Sequence, residues 1–302
     1  MLPFERVALI GLGLIGSSIA RAVRVVMPSV TVTGHDASAE VRSAATRLGF
    51  CHDVTDTSGA AVIDADLVIL CAPVGAAGAV AAAIAADLPA DAVVSDVGSS
   101  KGSVMAALRE ALPHATIVPA HPVAGTERSG PEAGFATLFH DRWCILTPDA
   151  ATPDAATARV RAFWERLGAK VDVMDAAHHD LVLAITSHLP HLIAYTIVGT
   201  ASDLEKVTRS EVIKYSAGGF RDFTRIAASD PVMWRDVFLS NREAVLEMLQ
   251  RFSEDLTALQ RAIRWGDGDA LHELFTRTRA VRRSIIAEGQ DDDLPDFGRA
   301  TR

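Results

Sequence analysis

"RVALIGLGLIGSSIARAVR" (Arg6–Arg24) passes from an apolar β-type run, through three glycines, into a stretch with helical spacing of Ile, Ala and Val. Gly11, Gly13 and Gly16 stand in the G-x-G-x-x-G pattern. The first permits a tight turn, the second lets a pyrophosphate approach the backbone, and the third lets helix pack closely on strand. Leu14 and Ile15 open the helix, whose unpaired N–H groups and partial positive charge attract phosphate. Asp36 follows the second strand pattern, "VTVTGH" (Val30–His35), twenty residues beyond Gly16. A carboxylate there accepts hydrogen bonds from a ribose 2′-hydroxyl. Ala37 and Ser38 come next, with no adjacent arginine for a 2′-phosphate, so NAD is favoured over NADP. The alternative for Asp36 is a plain helix cap.

The rhythm of the N-terminal half agrees with that turn. "ADLVILCA" (Ala65–Ala72), "DAVVSDV" (Asp91–Val97) and "ATIVPA" (Ala115–Ala120) are β-branched runs separated by helical segments such as "GAAGAVAAAIAADLPA" (Gly75–Ala90). Strands apolar on both faces that alternate with helices build a parallel sheet covered on each side. The expected fold class is therefore α/β: an N-terminal Rossmann-type doubly wound sheet, with "RWCILTP" and "AKVDVMD" as further strands at its far edge. Ala72, Pro73 and Val74 follow a strand and are placed beside the cofactor. After Asp175 the strand signals stop. "DAAHHDLVLAITSHLPHLIAYTIVGTA" reads as one long helix kinked at Pro190. Val245, Leu249, Phe252, Leu256, Leu259 and Ile263 recur at steps of four and three, a seam that needs a partner helix. The expected domains are residues 1–173, binding the dinucleotide, and 174–288, an all-α substrate and dimerisation domain, with a tail over 289–302.

Bulk properties narrow the function. At 302 residues the chain is long enough for two domains, and 22% charged residues beside 49% hydrophobic ones describe a folded globular protein. The net charge of -9 with scattered Lys and Arg argues against nucleic acid or an anionic membrane as partner. Cys51, Cys71 and Cys144 lack metal-type spacing and cannot all pair, which suggests a reducing, cytoplasmic setting. His188 and His191 could suggest a metal pair, but no third ligand or HExxH accompanies them, so no metal is expected.

Ligands of a Rossmann sheet lie outside the carboxyl ends of its strands. "SDVGSSKGS" (Ser95–Ser103) and "HPVAGTERSG" (His121–Gly130) both follow strands, which sets Ser99 and His121 near the nicotinamide. A neutral histidine there can take a hydroxyl proton while hydride leaves. On the long helix Asp180, Ser187 and His191, seven and four apart, share a face, and His178 and His179 should point elsewhere. The plainer reading of "SHLPH" is a kinked core helix. Phe220, Phe223 and Ile226 should bury the arginines of "GGFRDFTRIA", and a buried guanidinium demands an anion.

Together "GLGLIGSS", "DVGSSKG", "HPVAGTERSG", "SHLPH" and "GFRDFTRIAASDPVMW" resemble the prephenate and arogenate (cyclohexadienyl) dehydrogenases of tyrosine biosynthesis, over roughly residues 5 to 285. The resemblance implies an NAD-dependent oxidative decarboxylation of a cyclohexadienol by a homodimer. It implies that His121 accepts a hydrogen bond from the ring hydroxyl, with Ser99 beside it and Lys101 close by. Ser187 and His191 would face the substrate side chain, Arg225 would bind a carboxylate, and Thr126 and Trp234 would line the pocket. Arg221 stands where many relatives carry lysine, so the charge is kept and the carboxylate geometry altered. Glu127, Glu132 and Asp180 are the acids that could favour the ammonium of arogenate over the ketone of prephenate. Two alternatives share the Rossmann half. A β-hydroxyacid dehydrogenase would need a GxxGxxxxK-type helix that "HLIAYTIVGTASDLEK" lacks, and a non-catalytic nicotinamide sensor would not need Ser99, His121 and Arg225 together.

Overall fold

Alternation within each strand decides the layers. In β1 (Arg6–Ile10) and β4 (Leu67–Leu70), Val7, Leu9, Leu67 and Ile69 face one apolar cluster, while Ala8, Ile10, Val68 and Leu70 face another. The first cluster is closed by α1 (Leu14–Val26), through Ile19 and Val23, and by α6 (Asp154–Arg166), through Phe163 and Trp164. The second is closed by α4 (Ala77–Ile84) and α5 (Gly102–Ala111), through Ile84, Val104 and Leu108. A sheet apolar on both faces with helices on both is the doubly wound arrangement. The computed structural model describes residues 2–126, 128–203 and 218–287. Glu127 and the tail after residue 288 lie outside the described residues.

The main sheet also contains β2 (Thr31–His35), the short β3 (Asp53–Val54), β5 (Val93–Asp96) and β6 (Thr116–Ile117). Its order is β3-β2-β1-β4-β5-β6, all pairs parallel. This order reverses at β1/β4, the crevice where a dinucleotide lies. The two strands expected at the far edge do not extend it. β8 (Trp143–Leu146) and β9 (Lys170–Val173) instead form a separate three-stranded sheet with β7 (Ala120–Pro122), β8 antiparallel to β7. Proline explains the break. Pro119 has no N–H for the ladder, so the chain leaves β6 and re-pairs on the other side, where its carbonyl accepts from Thr147 N. His121 therefore stands at the seam of two sheets.

The long helix continues from Ala176 to Asp203 through a π-helical turn at Ala184–His188, just ahead of Pro190. By length and composition it could cross a bilayer. It nevertheless carries His179, Asp180 and His188 buried in protein contacts, as a core helix does. A helix over Gly218–Thr224 and a 3-10 turn over Arg225–Ala228 lead to the helix Pro231–Ser240, which Asp230 caps by accepting from Met233 N at 2.8 Å. The chain divides into two compact units, Met1–Leu246 and Glu247–Arg302. The helices Arg242–Trp265 and Gly268–Ala287 complete it. Along the predicted seam Val245 is buried, whereas Leu256 and Ile263 are 43% and 67% exposed, leaving apolar surface for a second helix to cover.

Candidate active site

The first half of the site is a phosphate cradle made by missing side chains. Gly11 has φ 110°, and a Cβ there would sit 2.6 Å from the Cys71 carbonyl oxygen. A Cβ on Gly16 would collide with the Gly11 oxygen at 2.0 Å. Both positions are closed to any other residue. Gly13 differs, because a Cβ there would meet nothing within 4 Å. Its open face, in front of the N-terminus of α1, is the space a pyrophosphate would occupy. Asp36 ends β2 with Oδ2 accepting from Leu12 N and Oδ1 from Ser38 N, both at 2.9 Å, so its carboxylate is aimed at the glycine turn. Arg42 is the arginine that sequence adjacency missed, one helical turn into α2 (Ala39–Leu48) and bonded through Nη1 to the Asp36 carbonyl at 2.9 Å. On the other lip, Ala72, Pro73 and Val74 follow β4, and Val74 packs against the Gly98 turn. The residues present fit a dinucleotide.

The second half is a buried polar cluster. Lys101 is fully buried; its Nζ pairs with Asp96 and donates to the Ala120 carbonyl at 2.8 Å, one residue before His121. Asp96 Oδ2 also accepts from Gly98 N at 2.8 Å, which shapes the loop carrying Ser99. His121 is 7% exposed, and its Nδ1 lies 2.8 Å from Nε2 of His179. His179, fully buried, places its own Nδ1 2.8 Å from Asp180 Oδ1.

This arrangement corrects two expectations. His179 does not point away from His121, and the Asp180 carboxylate is turned onto protein groups. The Asp180 carboxylate is taken up by Lys101 N (2.7 Å), Gly102 N (2.9 Å) and His179. It caps α5, where a negative charge is favourable. The reason lies in the π turn. In an unbroken helix of about 3.6 residues per turn, residues nine apart lie on opposite sides. The extra residue of the π turn brings both His179 and His188 to the protein side. His178 is exposed, as expected.

Beyond the π turn, His188 is fully buried with Nδ1 3.1 Å from Asn241 Nδ2, and the same amide donates to the Asp180 carbonyl at 2.8 Å. His191 Nδ1 bonds the Ser187 carbonyl at 2.9 Å, and its ring stacks on Trp234 with centroids 3.6 Å apart. Ser187 and Ser99 are half-buried. Arg221 and Arg225 are exposed and Phe223 is 42% exposed, so the expected burial of this segment is not found within one chain. The charge of Arg225 does reach His191. Thr126 is exposed on the loop after β7 and accepts from Arg128 N at 3.2 Å. Glu132 pairs with Arg47 at 2.7 Å on the surface beside α2. Among the described residues no group of His, Cys, Asp and Glu could hold a metal.

Burial keeps His121 and His188 neutral. Burial pushes His121 well below its usual value, and His179, Lys101 and His188 push it further. Burial lowers His188 to about 4, against the opposing pull of Asp180. Burial pushes the Asp180 carboxyl up, but hydrogen bonds from His179, Lys101 and Gly102 outweigh it and hold the group below the usual carboxylate value. The sign of the linkage follows. A histidine whose folded value is depressed binds protons more readily when unfolded. The stability it confers is whole above its unfolded value of 6.5 and is lost as pH falls towards about 4. The unfolding free energy measured in urea is expected to fall across this window, by up to about 1.4 kcal/mol per pH unit for each such histidine, and the urea midpoint falls with it. A midpoint that stays flat over that range would contradict neutral burial.

Comparison with known proteins matches residues 19–173 to the family described as prephenate dehydrogenase, nucleotide-binding domain, and residues 175–277 to prephenate dehydrogenase, dimerization domain. The chain is 50% identical to a cyclohexadienyl dehydrogenase of Zymomonas mobilis over 94% of its own length and 97% of that protein. It is 31% identical to a prephenate dehydrogenase of Lactococcus lactis over 97% of its length and 80% of the relative. Among solved structures, prephenate dehydrogenase from A. aeolicus in complex with hydroxyphenyl propionate and NAD+ superposes with a TM-score of 0.87 at 34% identity, covering 93% of this chain and 98% of that one.

Proposed function

The chain belongs to the prephenate dehydrogenase family, and on that premise we propose that His121 is the base of an NAD-dependent oxidative decarboxylation of prephenate, arogenate or both. The activity supplies 4-hydroxyphenylpyruvate or tyrosine in aromatic amino acid biosynthesis. The observation that carries the role of His121 is its place: a buried neutral imidazole on β7, at the seam where the chain passes from the parallel sheet to the second one, with one ring nitrogen already bound to the protein. NAD+ held in this cradle would supply the hydride acceptor for C4 of the substrate ring. The protein does the rest. His121 withdraws the C4 hydroxyl proton, Ser99 orients the same hydroxyl or the imidazole, and the carboxylate at C1 leaves as CO2 while the ring becomes aromatic. Gly11, Gly13, Leu14, Ile15 and Gly16 hold the pyrophosphate, Asp36 the adenosine ribose, and Ala72, Pro73 and Val74 the lip beside it.

Arg225 and Arg221 meet substrate carboxylate, while His191, stacked on Trp234, forms the pocket with Ser187 and Thr126. Asp180 acts from behind His179. The functional division is the nucleotide-binding half, 1–173, and the helical half, 174–288. A homodimer through the helical half is supported by the apolar side chains of Leu181, Ile185, Ile197 and Val198, 37–48% exposed on the long helix. Three free cysteines suit a reducing cytoplasm.

The test is NADH formation with prephenate and with arogenate, each with NAD and NADP. Turnover with at least one substrate and NAD is expected, and none with either substrate would overturn the reading. In the same assay Arg225→Ala should raise KM roughly ten- to hundredfold, since a hydrogen bond to a charged group is worth about 1.5–3 kcal/mol. An unchanged KM removes Arg225 from the carboxylate.

A further inference from the structure

We propose that Asp180, His179 and His121 form a closed proton relay, in which His179 is a positioning residue that fixes the tautomer of His121 and stores the borrowed hydroxyl proton until the product takes it back. The inference rests on His121 being the base. It follows from counting hydrogens along three contacts.

Asp180 accepts from Lys101 N and His179 at Oδ1 and from Gly102 N at Oδ2, so both its oxygens act as acceptors and it stands as the carboxylate. The hydrogen between it and His179 therefore sits on His179 Nδ1. A neutral His179 then presents a lone pair at Nε2, and the 2.8 Å contact to His121 needs one hydrogen, which only His121 Nδ1 can supply. This leaves His121 Nε2 bare and able to accept. The opposite order, with a hydrogen on His179 Nε2, would put a hydrogen on His121 Nε2 and abolish its use as a base.

The same chain of bonds can carry charge. When the C4 hydroxyl gives its proton to His121 Nε2, the Nδ1 proton can pass to His179 Nε2. His121 is then neutral again, and the imidazolium is His179, paired with the Asp180 carboxylate. That location is favourable because the Lys101 ammonium bears on His121. The remaining groups around the relay are Asp96, Cys144 and His188.

The chemistry explains why the relay can end in a buried residue. The hydride carries two electrons from C4 and leaves a ring ketone. Breaking the bond from C1 to the carboxylate releases CO2 and sends that bond's electron pair through the ring to the C4 oxygen. The resulting phenolate takes a proton from His121 Nε2, and His121 Nδ1 recovers its own from His179. No net proton leaves the site, so no channel to water is required, and His179 is fully buried.

Two measurements test this. The first is nitrogen-15 NMR of the histidine rings in the intact wild-type protein, with the His121 signals assigned by their loss in His121→Asn. Expected is a neutral His121 with hydrogen on Nδ1 and a bare Nε2, and the reverse tautomer would overturn the proposal. The second is His179→Gln, whose amide oxygen can accept from His121 Nδ1 but cannot carry the proton. Its kcat is expected to fall about ten- to hundredfold with KM and the NAD dissociation constant within about threefold of wild type. An unchanged kcat, or a KM that moves in step with kcat, would overturn it. The outcomes separate the two proposals: an active His121→Asn sinks the base itself, whereas an inactive His121→Asn beside a fully active His179→Gln sinks the relay alone.

Discussion

His121→Asn is expected to lower kcat by about 10²–10⁴, the usual worth of a positioned general base. The asparagine amide sits near the position of the imidazole Nδ1 and can still donate to His179 Nε2, so the 2.8 Å contact that ties β7 to the long helix has a replacement. What disappears is the second nitrogen, the only atom that can accept the hydroxyl proton. The NAD dissociation constant should stay within about threefold, because the cradle at Gly11, Gly13 and Gly16 lies on a different turn of the chain. Steady-state kinetics with fluorescence titration of the dinucleotide checks both halves. A loss of less than about tenfold would remove His121 from the role, and a matching loss of NAD affinity would mean the substitution has disturbed the fold.

The parts of this site that rest on local backbone rules were legible in the sequence. The strand–glycine–helix run, the acid ending the second strand and the β-branched rhythm are consequences of chain geometry over a few residues, and the structure reproduces each. Two features were not legible, and each has a specific cause. Pro119 redirects the strand carrying His121 into a second sheet, and nothing in "ATIVPA" distinguishes a strand that ends from one that changes partners. The π turn at Ala184–His188 breaks the arithmetic used to place His179. A count of 3.6 residues per turn assumes an uninterrupted helix, and Pro190 was a visible warning that the count could fail. The Asp180 carboxylate was misjudged for a related reason. An acid can be assigned to a helix face by spacing, but whether it meets a ligand or the N-terminus of another helix depends on packing across 79 residues of sequence.

Lys101→Met is expected to destabilise the protein by about 3–5 kcal/mol, the usual consequence of leaving one member of a buried ion pair alone. Lys101 is fully buried and Asp96 is 2% exposed, so water cannot replace the lost ammonium. Burial pulls the Lys101 amine down from its usual value and Asp96 pulls it back up, which makes the pair interdependent. The effect should be specific to imbalance of charge. In Lys101→Met/Asp96→Asn the charge is gone from both sides, and the asparagine oxygen can still accept from Gly98 N, now held by Asp96. The double variant should therefore recover more than half of the lost stability in urea unfolding, a coupling that independent sites would not show. Activity should recover less than stability. The Lys101 ammonium also holds the Ala120 carbonyl at 2.8 Å, and without it the strand end carrying His121 loses its anchor. A single variant that loses less than about 1 kcal/mol, or a double variant no more stable than the single, would show that the pair does not hold this corner of the site together.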